Sequence, residues 1–171
     1  MASKTVSRPK VSILQIYAGF LLCIAGIGLS LYAFNVETKK ESDKDYTAMC
    51  DIGDRISCSK VFTSKYGRGF GLIEPILGKD NFLNVPNSIY GLVFYSLQMY
   101  LCTVHTPRAS LFMLVNSLLS NAGSIYLACI LYFVLEDACV VCISTYMVNF
   151  LLLLLSVMKW RQINSAKKKS D

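Results

Sequence analysis

The sequence predicts an all-α integral membrane protein, a bundle of four transmembrane helices with a long luminal loop or cap that contains a short amphipathic helix. Mean hydropathy is +0.46 and 54% of the residues are apolar, which is too apolar for an ordinary soluble domain. Four apolar segments divide the chain. A chain of 171 residues has room for one domain, so we expect residues 1–171 to form a single membrane domain.

The four segments cover about residues 11–36, 87–104, 109–135 and 138–158. A helix needs about 20 apolar residues to cross a bilayer, so the second span is short. All four are predicted to be helical because lipid offers backbone polar groups no partner.

The first segment is too long for the core of a signal peptide, and no clear small-residue cleavage site follows it, so we expect it to remain as a span. It carries small residues at roughly helical spacing, which favour close packing on a neighbouring helix. These are Gly19, Cys23, Gly26 and Ser30.

Positive charge predicts the orientation. Basic residues precede the first segment, follow the last, and include Arg108 between the second and third, and such charge stays in the cytosol. The terminal ones are Lys4, Arg8, Lys10, Lys159, Arg161, Lys167, Lys168 and Lys169. We interpret them as solvated tails on cytosolic termini; no basic, aromatic-rich patch indicates nucleic-acid binding. Residues 37–86 and the Glu136–Asp137 connection then face the lumen, an oxidising compartment in a eukaryotic cell.

The luminal cap, residues 37–86, is expected to contain local structure. The stretch SCSKVFTSKYG mixes apolar residues with lysines and favours a short amphipathic helix on the membrane surface. The stretch GRGFGLIEPILG alternates glycines and then becomes apolar, which indicates a bend toward the bilayer that closes over the bundle. The alternative is a loop that packs on the bundle for stability alone.

The seven cysteines sort by side. Three lie within apolar spans, where cysteine usually serves as a small hydrophobe. They are Cys23, Cys102 and Cys129. The other four fall on or near the luminal side, which supports the orientation independently of charge. They are Cys50, Cys58, Cys139 and Cys142.

Cys139 and Cys142 share a helix face one turn apart, with Tyr146 a further turn deeper. Asp137 is the expected N-cap of the fourth helix. Free N–H groups there favour a thiolate, whereas the neighbouring acids and apolar burial oppose one. Cys139, at the rim, can meet a luminal thiol, and Cys142 can meet a ligand dissolved in lipid, so this pair suits thiol–disulfide exchange.

Three interpretations of the four luminal cysteines stay open at this point. Cys50 and Cys58 are either a second pair that carries electrons inward, part of two structural disulfides, or ligands of a zinc ion held by four thiolates, although their spacing is loose for zinc. The single histidine, His105, lies in a short polar turn and is expected to be solvated. We therefore expect no metal site.

Four strings occur in the order CDIGDRISCSKVF, YGRGFGLIE, LNVPNSIYG and CVVCISTY, between LSLYAFNV and the last span. Together they resemble the vitamin K epoxide reductase family. The resemblance implies an enzyme of the endoplasmic reticulum membrane that reduces vitamin K 2,3-epoxide to the quinone and the quinone to the hydroquinone. It also implies inhibition by coumarin anticoagulants such as warfarin, no tightly bound cofactor, and a dithiol as electron donor.

The resemblance also implies roles for the cysteines. Cys142 attacks the substrate, and Cys139 resolves the adduct to leave a Cys139–Cys142 disulfide. Cys58 then attacks that disulfide at Cys139, and Cys50 pairs with Cys58. We expect a luminal thioredoxin-fold protein to reduce the Cys50–Cys58 bridge, because the glutathione pool of the lumen would leave such a dithiol mostly oxidised.

Asn87 and Tyr146 match the residues with which the family binds the ketone oxygens of the substrate, and Tyr90 is expected in the same pocket. Polar donors of this kind are what carbonyls in an apolar pocket require. The alternative for Asn87 is a helix N-cap. Tyr90 stands where the family usually has phenylalanine, and Val85-Pro86 is a further departure. Both bear on pocket shape and inhibitor affinity without removing a reactive group.

Lys168-Lys169 near the end of the chain resembles a dilysine retrieval signal for the endoplasmic reticulum; a basic tail near anionic lipid is the alternative. Two other function classes remain. A disulfide-forming membrane catalyst would drive the same cysteines backwards with a quinone as oxidant. A scaffold of four spans would use them only as structural bridges.

Overall fold

The computed structural model describes residues 11–53 and 56–168, which fold into six α-helices. In chain order they are α1 (Ile13–Ser42), α2 (Cys58–Phe62), α3 (Ile73–Leu77), α4 (Asn87–Thr103), α5 (Pro107–Ile130) and α6 (Val140–Lys168). A π-helical turn, Leu131–Leu135, continues α5. Within these residues the chain forms isolated β-bridges but no strand, so the all-α prediction is confirmed for the part described.

Three helices of the described part have the length and apolar character that a membrane span requires: Ile13–Ser42, Pro107–Leu135 and Val140–Ala166. Helix α4 has 17 residues and falls short of that length; it corresponds to the segment that the sequence predicted to be short. The 30 residues of α1 make a helix of about 45 Å, which exceeds a hydrocarbon core of about 30 Å.

Two helices run beyond the predicted apolar segments. Helix α1 continues to Ser42 rather than ending near residue 36, and α6 continues to Lys168 rather than ending near residue 158. The apolar segments set the length that lipid can cover, whereas polar residues of good helix propensity extend the same helices beyond it. The segment between α1 and α4 is therefore residues 43–86, called the connecting segment below.

Lys159 is not part of a solvated tail, so that interpretation was wrong. Its side chain is only 4% exposed, and its Nζ donates to the carbonyls of Leu101 (2.7 Å) and Cys102 (2.9 Å). These carbonyls lie in the last turn of α4, where a helix leaves its acceptors unpaired. The predicted basic residues Lys4, Arg8, Lys10 and Lys169, and the side chains of Lys167 and Lys168, lie outside the described part.

Small residues bring the helices together. Helix α1 packs on α4 and α6, and α5 packs on α6. Gly19, Cys23, Gly26 and Ser30 are all buried, and a Cβ on Gly26 would overlap the ring of Tyr95 on α4. The predicted small-residue face of α1 is confirmed.

Polar side chains also bridge the helices inside the bundle. The Tyr95 hydroxyl donates to Asn149 Oδ1 (2.8 Å), and Asn149 Nδ2 donates to Ser124 Oγ (2.8 Å). Gln98 Nε2 donates to Ser117 Oγ (2.9 Å). Polar groups buried among apolar side chains need hydrogen-bond partners, and these bonds supply them. They also fix α4, α5 and α6 relative to one another.

The connecting segment carries two short helices. Helix α2 lies where a short amphipathic helix was predicted; its Cys58 and Ser59 are buried, whereas Lys60 is exposed. Farther along, Gly69, Phe70 and Gly71 all have left-handed φ values of 51°, 58° and 70°. Glycine adopts this conformation readily, whereas phenylalanine requires outside support. His105 is exposed between α4 and α5, as predicted.

Candidate active site

Cys139 and Cys142 stand at the start of α6, and Cys139 is its N-cap. The Cys139 carbonyl accepts from Ile143 N (3.0 Å), and its Sγ accepts from Cys142 N (3.2 Å). The prediction that Asp137 caps this helix was wrong, because the helix begins at Val140 and the Cys139 sulfur takes the place of a carboxylate. A backbone N–H therefore points at the Cys139 sulfur, an arrangement that favours a thiolate.

The second pair of cysteines lies against the first. Cys50 and Cys58 form a disulfide, and Cys139 and Cys142 are free thiols. Cys58 and Cys139 are both fully buried in one apolar cluster, against which Cys50 and Cys142 pack. All four predicted redox cysteines are thus brought together, although more than 80 residues separate the pairs in sequence.

Backbone contacts hold the two pairs in this register. Ile56 and Ala138 form a parallel β-bridge, and Ser57 N donates to the Ala138 carbonyl (3.1 Å). Cys58 follows Ser57 and Cys139 follows Ala138, so this hydrogen bond brings the two cysteines into the same buried cluster.

Asp51 organises the loop that carries the disulfide. Its carboxylate accepts from Ser59 Oγ (2.6 Å), Ser59 N (3.0 Å), Ser57 Oγ (3.0 Å) and Ala48 N (2.9 Å). Burial alone would raise the pKa of Asp51, but these hydrogen bonds to the charged form outweigh it and lower the pKa to about 2. The carboxylate therefore stays ionised and fixes both ends of the loop between Cys50 and Cys58.

A cavity of about 640 Å³ lies between the helices and the connecting segment, a size typical of small-molecule sites. Its wall is mostly apolar. Cys142 lines it, whereas Cys139, Cys50 and Cys58 do not. The two members of the C-x-x-C therefore have different surroundings: Cys142 faces the cavity, and Cys139 lies against the loop disulfide.

Asn87, the first residue of α4, lines the cavity. It is bonded to the part of the connecting segment that also lines the cavity, residues 66–85, called the roof below. Its Nδ2 donates to the Tyr66 carbonyl (2.6 Å), and its Oδ1 accepts from Phe70 N (2.9 Å). The residue at the cap of α4 is Pro86, without a side-chain cap bond, so the N-cap alternative for Asn87 was wrong. One Nδ2 proton is left without a protein acceptor within the described residues.

The two predicted tyrosines also line the cavity. The Tyr90 hydroxyl donates to the Leu83 carbonyl (2.6 Å), and its ring packs on Phe70 with centroids 5.2 Å apart. The ring of Tyr90 therefore lines the cavity, whereas its hydroxyl is bonded to the backbone of the roof. The hydroxyl of the half-buried Tyr146 makes no hydrogen bond within the described part of the chain, so it is available to a ligand.

An ion pair that sequence reasoning missed joins the roof to α1. Arg68 Nε contacts Glu37 Oε1 (3.1 Å), and Arg68 Nη2 contacts Glu41 Oε1 (2.8 Å). Glu37 is 4% exposed and lines the cavity. The sequence signal that could have revealed this ion pair is Glu37 and Glu41, two acidic residues four apart that directly follow an apolar run.

The described residues hold no cluster of three or more potential metal ligands. The zinc alternative requires four thiolates, but Cys50 and Cys58 are bonded to each other, so only Cys139 and Cys142 of the four are free thiols. The site as built is therefore a dithiol and a disulfide beside an apolar cavity, which is an arrangement for two-electron exchange.

Comparison with known proteins agrees with this chemistry. The model of the Vitamin K epoxide reductase family matches residues 17–157. The chain is 52% identical over 138 residues to Vitamin K epoxide reductase complex subunit 1 of Rattus norvegicus, and 53% identical over 138 residues to the Mus musculus protein of the same name. Each match covers 81% of this chain and 86% of the relative. The chain belongs to the vitamin K epoxide reductase family of oxidoreductases.

Proposed function

We propose that this protein reduces vitamin K 2,3-epoxide to vitamin K quinone, and the quinone to the hydroquinone, with electrons supplied by thiols. One observation carries the proposal: Cys142 lines an apolar cavity, while Cys139, its partner in the C-x-x-C, lies beside the Cys50–Cys58 disulfide. The names of the rat and mouse relatives add the substrate.

The reaction begins in the cavity. The Cys142 thiolate attacks the substrate ring, and the opened epoxide oxygen takes up a proton. Cys139 then attacks the Cys142 sulfur, which forms the Cys139–Cys142 disulfide and returns an electron pair to the ring. Loss of water leaves the quinone. Reduction of the quinone to the hydroquinone uses the same pair of thiols and two protons.

Asn87 and Tyr146 stabilise the oxygen on which charge develops. Among the described residues, neither has an acceptor for its remaining side-chain proton, and both side chains line the cavity with Cys142. Donors that are already fixed cost no reorganisation when charge appears. Asn87 is held by its two bonds to the roof, and Tyr146 is held by its place one turn below Cys142 on α6.

The loop pair restores the active pair. Cys58 attacks the Cys139–Cys142 disulfide at Cys139, and Cys50 then attacks Cys58 to release Cys139 as a thiol. The burial of Cys58 and Cys139 in one cluster supports this order, as does the half-exposed position of Cys50, which an external dithiol can reach. The donor we propose is a luminal thioredoxin-fold protein.

The same proposal covers topology and ligands. Helices α1, α4, α5 and α6 are four spans of one membrane domain, residues 1–171, with both termini cytosolic and the active site facing the lumen of the endoplasmic reticulum. The connecting segment forms the luminal cap. Coumarin anticoagulants such as warfarin compete for the cavity, and no cofactor is bound tightly.

The test is turnover of vitamin K epoxide by the purified protein in detergent with a small dithiol. A small dithiol reduces the Cys139–Cys142 bridge directly, so the wild type and a Cys50→Ala/Cys58→Ala double variant should be active and Cys142→Ser inactive. A wild type that reduces neither the epoxide nor the quinone would refute the proposal. Formation of disulfides in a reduced client protein on addition of quinone, without epoxide loss, would favour the disulfide-forming catalyst instead.

A further inference from the structure

A tyrosine of α1 contacts the loop disulfide. The Tyr32 hydroxyl donates to Cys50 Sγ at an O···S distance of 3.6 Å, which is within reach for sulfur because of its larger radius. Tyr32 and Cys50 are both half-buried and pack on the cluster that holds Cys58 and Cys139. Tyr32 does not line the cavity, so its hydroxyl meets the relay and not the ligand.

The surroundings of Cys50 do not favour a second negative charge. Cys50 packs against a cluster of buried apolar side chains and cysteines, and burying a charge beside such a cluster is costly. Among the described residues, the loop from Cys50 to Cys58, α2, the α5–α6 connection and the end of α1 carry eight charged side chains: Asp51, Lys60, Glu136, Asp137, Glu37, Lys39, Lys40 and Glu41. Five of these eight are acidic, and acidic neighbours disfavour a thiolate.

The lysines at the end of α1 are already engaged. Lys40 Nζ donates to the carbonyls of Lys44 (2.6 Å) and Tyr46 (2.7 Å), and Lys39 Nζ lies 5.6 Å from the centre of the Tyr46 ring. Within the described residues, the Tyr32 hydroxyl is a donor placed directly on the Cys50 sulfur, so it can stabilise a thiolate there. A donor to the charged form favours that form.

We propose that Tyr32 is a catalytic residue of the relay, and that its hydroxyl stabilises the Cys50 thiolate that completes each transfer. This inference rests on the proposed function, in which Cys50 acts after Cys58. It assigns to the bond between α1 and the loop a role in the reaction rather than in packing.

Reduced Cys50 loses its proton to solvent, and its thiolate attacks the Cys58 sulfur of the Cys58–Cys139 mixed disulfide. The Cys50–Cys58 bond forms, the Cys58–Cys139 bond breaks, and the electron pair leaves on the Cys139 sulfur. The loop pair is oxidised by two electrons and the active pair is reduced by two. The Tyr32 proton stays on Tyr32 throughout, shared in a hydrogen bond.

The first test needs no substrate. In a Cys58→Ala variant Cys50 is a free thiol, and its rate of alkylation by iodoacetamide can be followed against pH, with the Cys50 peptide quantified by mass spectrometry. Adding Tyr32→Phe keeps the ring and removes the donor. We expect the profile to move to higher pH by roughly one unit, or about tenfold slower alkylation on its rising limb, with an unchanged plateau. Superimposed profiles would overturn the proposal.

The second test measures turnover. Reduced thioredoxin serves as a protein dithiol that must work through the loop pair, and a small dithiol serves as a donor that bypasses it. In Tyr32→Phe the ratio of the thioredoxin-driven to the small-dithiol rate should fall severalfold and recover as pH rises. Tyr17→Phe is the matched control, because Tyr17 lies on the same helix and is 66% exposed.

The two tests separate the inference from the function on which it rests. A wild type without epoxide or quinone reduction would refute the function, while the alkylation profile would still decide whether Tyr32 acts on Cys50. An equal fall in both dithiol-driven rates in Tyr32→Phe, with no movement of the alkylation profile, would assign Tyr32 a structural role and overturn the inference.

Discussion

Replacing Asn87 by alanine should both loosen the roof of the cavity and slow the reaction. The change removes the bonds to the Tyr66 carbonyl and from Phe70 N. Each buried hydrogen bond contributes about 0.5–1.5 kcal/mol, so the roof should lose about 1–3 kcal/mol. Phe70 adds to the effect, because its left-handed backbone, φ 58°, is held by the bond to Asn87.

Two variants separate these contributions. Asn87→Asp keeps an acceptor for Phe70 N but loses the donor to Tyr66 and the remaining Nδ2 proton. We therefore expect Asn87→Asp to retain part of the stability of the roof and to lose turnover as severely as Asn87→Ala. The measurements are the midpoint of thermal unfolding in detergent and kcat/KM for vitamin K epoxide with a small dithiol. Asn81→Ala is the control, because Asn81 also bonds a backbone N–H of the connecting segment but does not line the cavity.

The outcomes separate the two roles of Asn87, support of the roof and contact with the substrate. Lost turnover with an unchanged unfolding midpoint in Asn87→Ala would mean that its bonds to the roof contribute nothing, and that Asn87 acts on the substrate alone. A lower midpoint with normal kcat/KM would mean that Asn87 supports the roof and does not contact the reacting oxygen. The same losses in Asn81→Ala would show that any change in the connecting segment has this effect.

Three other substitutions test the bundle and the disulfide loop. Lys159→Met leaves the carbonyls of Leu101 and Cys102 without this donor. Each unpaired carbonyl should lower the free energy of unfolding by about 1–3 kcal/mol. Gly26→Val forces a branched side chain against the Tyr95 ring and should cost about 1–3 kcal/mol by overpacking. Because the pKa of Asp51 is lowered to about 2, its contribution to stability is complete above its ordinary pKa of about 3.9 and is lost as pH falls toward 2. Asp51→Asn should remove that part of the acid dependence when unfolding of the connecting segment is followed by limited proteolysis.

Matched controls make these tests sharp. Arg161→Met removes an exposed cation from the same helix, so an equal loss in both lysine and arginine variants would refute the role of Lys159 in α4. Gly28→Val places a Cβ that meets no described atom within 4 Å beyond its chain neighbours and its own helix backbone, and it should unfold like the wild type. If Asp51→Asn loses protection along the same acid curve as the wild type, another group must carry that dependence.

The fold was predictable where one physical constraint dominates. Apolar length predicted the long helices, and the spacing of Gly19, Cys23, Gly26 and Ser30 predicted which face of α1 packs. Lys159 was misassigned because a cation after the last apolar run looks the same in sequence whether it meets water or a helix end. That distinction depends on where α4 stops beside α6, which no local pattern encodes.

The residues of the site were likewise predictable only in part. Spacing and resemblance brought forward the four cysteines and the three cavity residues, because each chemical role needs a particular side chain. Tyr32, Asp51 and the bridge between Ile56 and Ala138 were missed, because each depends on chain segments that meet only in the fold. The assignment of Asp137 as N-cap failed for a related reason: a sulfur can take the role of a capping oxygen when the helix starts one residue after it.

The start of α6 explains why a C-x-x-C stands at the edge of an apolar helix. With Cys139 as N-cap, its sulfur lies at the helix end and accepts a backbone N–H, and Cys139 shares a buried cluster with the loop pair. Cys142, one turn along, then faces the cavity. A helix that began two residues earlier would carry Cys139 into its first turn, where its sulfur could no longer serve as the N-cap acceptor. Under the proposed function, the position of one helix start therefore places one thiol at the electron source and the other at the substrate.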